Sequence, residues 1–393
     1  MMLVPQFHQA LIATSGVPFQ TFATVDAWQT LLDDPRIWDE RHGWGVVWNG
    51  LVPHLDALHH LVRALPDDED CVVLSHPILL PMSALARSVR PDLRIVAAYL
   101  APSNLCSSHD MLAAGSLRIP AWLPTVGKQA MWKLIHKGWI DPVTLPSLNA
   151  ARARHGLPAV SHFFEHMLTV ADASIGLFPD WYAAVQPDWP QPFSQASFIS
   201  DKATSEIQLS PALQQFLSDG APPIVFTPGT GQRHAAAYFA AALQALKQLG
   251  RRGIFVTPHA AQLPESLPTN IIWQPHLPFT TLLPRVAAIA HHGGIGTMAE
   301  AFRAGVPQLI VPGAYDQFDN ALRAKRLGVA AVLPAKRLSA ARMQKQLQYL
   351  LTADAVLPAC AAIAQQMAQQ PGLTFLLEQL MAVLLERQPS RLA

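Results

Sequence analysis

In the second half of the chain, short wholly apolar runs alternate with amphipathic stretches. Residues 224–227, 253–257, 271–273, 286–290 and 307–311 are apolar runs punctuated by Gly, Pro or Asn, the pattern of strands covered on both faces. Between them, 235–249 and 298–303 repeat apolar residues every three or four positions, which predicts helices. The first half alternates likewise. It predicts helices at 5–15, 26–32, 46–65 and 81–90, and strands at 18–23, 71–75, 94–100 and 173–178. The helix at 46–65 rests on Leu51, Leu55, Leu58, Leu61 and Leu65. Helices are expected again at 339–351, 358–367 and 372–385. Strand–helix alternation of this kind predicts parallel sheets with helices on both faces. A polar stretch near 201–220, with a short helix at 211–218, separates a first domain, 1–200, from a second, 221–370. Residues 371–393 form a closing segment.

The richest stretch for chemistry is 291–320, HHGGIGTMAEAFRAGVPQLIVPGAYDQFDN. It reads as a glycine turn at the carboxyl end of a strand, then a helix stopped at Gly305, a second strand and a loop. Open α/β sheets bind ligands at such strand ends. Gly293, Gly294 and Gly296 let backbone N–H groups approach an anion, and the helix start points its positive end there, so a diphosphate is the expected ligand. The alternative is a plain tight connection. Polar neighbours favour the ligand: His291 and His292 compete to contact it, Thr297 offers a hydroxyl, Glu300 an acceptor, and Asp316-Gln317 suit sugar hydroxyls. A second glycine turn, Pro228-Gly229-Thr230-Gly231, ends the run at 224–227 and would bring Thr230 to the same anion from a facing strand.

From Trp273-Gln274-Pro275 through His292-Gly293-Gly294 and Glu300 to Gly305-Val306-Pro307 and Asp316-Gln317, the chain resembles the donor signature of family 1 nucleotide-sugar glycosyltransferases. The resemblance implies the GT-B fold, an α/β architecture of two Rossmann-like domains whose parallel sheets face a central cleft. It implies that Trp273 stacks on the base, His292 binds diphosphate, Gly296 and Thr297 donate to phosphate, Glu300 holds the ribose, and Asp316 with Gln317 holds the sugar. Ile295 stands where the plant enzymes carry an aromatic. It also implies that the closing helix crosses back onto the first domain. Segments such as Asp34-Pro35-Arg36-Ile37-Trp38-Asp39, Leu177-Phe178-Pro179-Asp180-Trp181 and Asp316-Gln317-Phe318-Asp319-Asn320-Ala321 resemble rhamnosyltransferase subunits of rhamnolipid synthesis. That resemblance implies a dTDP- or UDP-sugar donor, a lipidic hydroxyl acceptor, and transfer with inversion. Members of the superfamily begin with a strand and a glycine-rich loop bearing the general base. Here the chain starts inside what resembles the next segment, so the catalytic residue is unassigned, and a donor-binding but inactive protein is the competing reading. An epimerase on the same fold is a third.

Composition narrows the rest. The 393 residues suffice for two domains, and 28 basic against 27 acidic residues leave no reason to expect nucleic acid. Three widely spaced cysteines fit a reducing, cytoplasmic setting. No cluster has metal-ligand spacing, so neither metal nor cofactor is expected. Nine of the ten tryptophans precede residue 190, concentrating apolar area where an acceptor would bind. Trp38, Trp44 and Trp48 are acceptor-wall candidates, and His76, His109 and Asp110 lie on loops where a base could sit. Lys128, Lys133 and Lys137 alternate with Trp132, Leu134, Ile135 and Trp139, a basic aromatic helix suited to peripheral membrane contact.

Overall fold

The computed structural model describes residues 1–199 and 208–370, with Thr374, Phe375, Leu377, Glu378 and Met381 beyond them. Two compact units emerge. One gathers Met1–Met111 with Ala121–Ala196, the other Leu112–Pro120 with Ser197–Pro371. The expected linker falls partly outside the described residues. Its second part is the helix Pro211–Ser218, capped by Ser210 Oγ, which accepts the Leu213 N–H at 3.3 Å. The expected helix at 372–385 lies almost wholly outside them.

In the first unit, β1 (Met2–Pro5) and β2 (Phe19–Phe22) form a parallel pair of their own. A separate parallel ladder has the order β3 (Val72–Ser75), β4 (Arg94–Tyr99), β7 (Ala173–Gly176), β8 (Phe193–Gln195). The hairpin of β5 (Ala113–Ala114) and β6 (Leu117–Arg118) belongs to the other unit. The predicted helix at 46–65 is broken into Gly43–Leu51, a 3-10 turn at Val52–His54, and Ala57–Arg63. Pro53 explains the break: it has no N–H to donate to the carbonyl one turn back, and its ring crowds that carbonyl. Leu51, Leu55, Leu58 and Leu61 are nonetheless buried, so the apolar stripe survives the kink.

The second unit holds β9 (Ile224–Thr227), β10 (Gly253–Val256), β11 (Ile271–Gln274), β12 (Ala288–His291), β13 (Gln308–Ile310) and β14 (Ala330–Val332). All pair in parallel, in the order β11-β10-β9-β12-β13-β14. Counting from β9, this is the doubly wound order 3-2-1-4-5-6, and the chain changes direction between β9 and β12. Ile224, Val225 and Phe226 of β9 are fully buried, and each contributes about 1.5–3 kcal/mol by leaving water. The helix Ala236–Leu249 is fastened to β12 by the Tyr238 hydroxyl, which donates to Ala290 O at 2.8 Å.

Candidate functional site

At the switch point, Thr227 and His291 are register partners at the ends of β9 and β12. The two glycine turns therefore leave one sheet side by side. The expectation that they face each other from opposing strands is corrected: adjacency in one ladder brings them together. Between them opens a cavity of about 320 Å3, bordered by Gly229, Thr230, His292, Gly294, Gly296 and Thr297, with Thr257, Pro258, Pro275, His276, Leu277 and Phe279 completing the wall.

The two histidines part company. His291 is fully buried; its Nδ1 accepts the Gly293 N–H at 3.2 Å, so Nε2 carries the proton and donates to Gln308 Oε1 at 3.0 Å. Burial first, then the neighbouring His292, pushes its pKa down to about 3. Its assignment as an anion contact is corrected, because both ring nitrogens are committed inside the sheet. His292 borders the cavity instead. Its Nδ1 is buried without a hydrogen-bond partner, and burial lowers its pKa to about 4. A neutral imidazole with an unused ring nitrogen is wedged between two glycines, each too close to bear a side chain. A Cβ at Gly229 would stand 2.7 Å from His292 Cε1, and one at Gly294 would stand 2.4 Å from Nε2.

Gly294 precedes the helix Ile295–Ala304, whose first N–H groups have no carbonyl one turn back to bond. Ile295, Gly296 and Thr297, all at that end, border the cavity. An anion fits there by hydrogen bonding and by the helix dipole. Two residues that sequence reasoning passed over shape the same mouth. Val-Phe-Thr-Pro at 225–228 and Phe-Val-Thr-Pro at 255–258 end β9 and follow β10 alike. Thr227 Oγ1 accepts the Gly229 N–H at 3.3 Å, and Thr257 Oγ1 accepts the His259 N–H at 3.1 Å. The repeated Thr-Pro was the available signal.

Other expected contacts stand off the cavity. Trp273 does not border it; its indole N–H donates to Thr257 O at 2.9 Å and the ring, 36% exposed, stands on the edge strand. Pro258, Pro275 and Leu277 supply the apolar wall that Trp273 was expected to form. Glu300 is paired with Arg303 at 2.5 Å one turn along the helix and is also set back. Gln317 Oε1 accepts the Gly313 and Ala314 N–H groups at 2.9 and 3.1 Å, so this side chain closes the turn after β13 rather than offering its oxygen to a sugar. Asp316, the residue before the helix Gln317–Arg326, does not border the cavity either. Burial raises its pKa to about 6, against the opposing hydrogen bond from Asn320. The Asn320 amide, which sequence reasoning did not single out, donates to Asp316 Oδ2 at 2.8 Å and to Gly293 O at 3.0 Å.

In the first unit, Trp48 is fully buried with its indole N–H donating to Ser147 Oγ at 2.8 Å, so it belongs to the core and not to an acceptor wall. Trp44 packs on Phe163 and Phe164, and Trp38 is half-buried. His76 follows β3, its Nδ1 accepting the Ile78 N–H at 3.3 Å and its pKa lowered by burial. His109 and Asp110 stand after the 3-10 turn Pro102–Leu105, their N–H groups donating to Ser107 Oγ. Lys128 is buried, its Nζ 3.5 Å from His109 O, while Trp132 and Trp139 donate inward to Ser107 O and Arg41 O. The expected basic aromatic face is thus not presented by those three residues.

Comparison with known proteins agrees with this geometry. Residues 240–383 match the model of the erythromycin biosynthesis protein CIII-like C-terminal domain. The chain is 27% identical over 291 residues to the O-mycaminosyltylonolide 6-deoxyallosyltransferase of Streptomyces fradiae, covering 69% of this chain and 64% of that protein. It spans less than two-thirds of the length of the curated relatives it matches first. Among solved structures it superposes on the glycotransferase of kitacinnamycin with a TM-score of 0.70, 16% identity, and 98% and 91% of the two chains covered. The spinosyn rhamnosyltransferase SpnG complexed with thymidine diphosphate gives 0.61, 17%, 96% and 91%. These likenesses establish a shared fold.

Proposed function

We propose, from an erythromycin CIII-like C-terminal domain borne on a GT-B fold, that this chain transfers a sugar from a nucleoside diphosphate to the hydroxyl of a hydrophobic acceptor. The carrying observation is the convergence on one cavity of an unpartnered His292 nitrogen, the Thr230 turn and the start of the helix Ile295–Ala304. As the glycosidic bond to the donor breaks, negative charge grows on the departing diphosphate. Preorganised N–H donors and an imidazole lower that barrier because they need no rearrangement as the charge appears. Asp316, steadied by Asn320, is the group to accept sugar hydroxyls.

A thymidine-diphosphate sugar is the proposed donor, since a fold relative is known with thymidine diphosphate bound. Rhamnose as the sugar, a lipidic hydroxyl as the acceptor, inversion at the anomeric carbon, and a cytoplasmic, membrane-peripheral setting complete the proposal. Trp44 and Phe164, packed against the buried Phe163, offer aromatic surface for the acceptor. His76 is the proposed base, because it stands exposed just after β3 and Ile78 engages only one of its ring nitrogens. Mass spectrometry of products from thymidine- and uridine-diphosphate sugars with hydroxyacyl acceptors tests the reading. Sugar transfer is the expected result; donors left intact under all pairings would overturn it.

A further inference from the structure

The segment from Met111 to Ile140 contains four basic residues, Arg118, Lys128, Lys133 and Lys137, and no aspartate or glutamate. It runs into the helix Thr125–Ile135. With Lys128, Trp132 and Trp139 turned inward, a different face is left outside. Val126, Ala130 and Leu134 follow one another at four-residue intervals, so they form a single exposed row along that helix. Trp122 stands in the turn just before it. Trp122, Val126 and Leu134 are 80%, 75% and 74% exposed, although large apolar side chains normally find cover. Lys133 and Lys137, both exposed, lie three residues beyond Ala130 and Leu134 respectively and so flank the end of the row.

We infer that this face docks on an anionic lipid bilayer, with Trp122, Val126 and Leu134 entering the acyl boundary and Lys133 and Lys137 meeting the headgroups. Charge selects the occupant. A neutral apolar partner would leave two lysines unanswered beside the row, and an acidic partner without apolar depth would leave Trp122 and Leu134 in water. A negatively charged bilayer answers both, because cations attract its surface while apolar side chains enter it. Tryptophan suits the boundary itself, with an apolar ring and one polar N–H. This inference rests on the proposed lipidic acceptor only for its purpose; the docking itself is independent of the donor site.

Vesicle sedimentation tests it, using phosphatidylcholine alone and phosphatidylcholine with phosphatidylglycerol, at low and high salt. The full chain should sediment with the anionic vesicles, and salt should release it. Lys133→Glu with Lys137→Glu should lower partitioning by at least about tenfold, since each lysine near such a surface is worth roughly fivefold. Trp122→Ser with Leu134→Ser should lower it comparably, and both variants should bind thymidine diphosphate as the parent chain does. A parent chain that binds thymidine diphosphate but not anionic vesicles overturns the docking and leaves the donor site standing. Binding to vesicles that survives both double variants overturns it too, as does a loss explained wholly by self-association of the parent through this face. Vesicle binding without nucleotide binding would instead remove the transferase reading.

Discussion

The ring of His292 lies against the α-carbon of Gly229, so close that a β-carbon there would stand 2.7 Å from Cε1. These residues come from turns more than sixty positions apart, and the β9–β12 pairing is what joins them. The contact holds the imidazole upright at the cavity mouth, and it makes Gly229, at φ +95°, a position where any side chain both strains the backbone and pushes the ring aside.

Gly229→Ala should therefore cost roughly 1–3 kcal/mol of stability and weaken thymidine diphosphate binding by about tenfold or more. Thermal melts and titration calorimetry measure the two effects. Unchanged affinity in a folded variant would detach the glycine from the site.

Asn320 should couple the sugar end to the phosphate loop, because one amide serves both Asp316 Oδ2 and Gly293 O. Asn320→Asp turns that donor into an acceptor and leaves two oxygens facing a third. Binding of a thymidine-diphosphate sugar should fall by about ten- to a hundredfold. Thymidine diphosphate alone should lose less. Equal losses for both ligands would make Asn320 a fold residue only.

Trp273→Ala should leave thymidine diphosphate affinity within about twofold, since the ring stands outside the cavity wall and its N–H serves Thr257 O. Pro275→Gly or Leu277→Ala should weaken it more. A large loss confined to the tryptophan would restore it as the surface on which the base stacks.

Acid should loosen the protein between about pH 6.5 and 4. His166, in the helix Phe163–Thr169 and held down by burial and then by Arg152, lies near 4, as does His292, and His291 lies near 3, all below the ordinary 6.5, so the unfolded chain binds the extra protons in that window and stability falls with pH. Asp316 opposes this, its raised value near 6 giving stability that is lost as pH rises from 3.8 to 6, but one carboxyl is outweighed by three imidazoles. Unfolding free energy followed against pH should show the fall. His292→Gln should flatten it by roughly 1.4 kcal/mol per pH unit, the effect of one proton.

β14, at Ala330–Val332, was passed over, but the other five β-strands of the second unit were legible because each is an apolar run punctuated by Gly, Pro or Asn. The helix Gln317–Arg326 was not. Its buried residues include Gln317, Asp319, Asn320 and Arg323, made tolerable by pairs such as Arg323 Nε with Asp319 Oδ2 at 2.6 Å, so no apolar period announced it. The glycine turn after β12 could be located from the sequence, but the division of labour between His291 and His292 could not. It depends on Gln308, seventeen residues on, reaching His291 from the next strand.

Whether His292 grips a nucleoside diphosphate is decided by calorimetric titration of the full chain with thymidine diphosphate, beside His292→Ala. The parent chain should bind saturably, and the folded variant should lose roughly ten- to a hundredfold, the worth of one hydrogen bond to a charged group. No heat of binding from the folded parent, or a variant that titrates as the parent does, would contradict it.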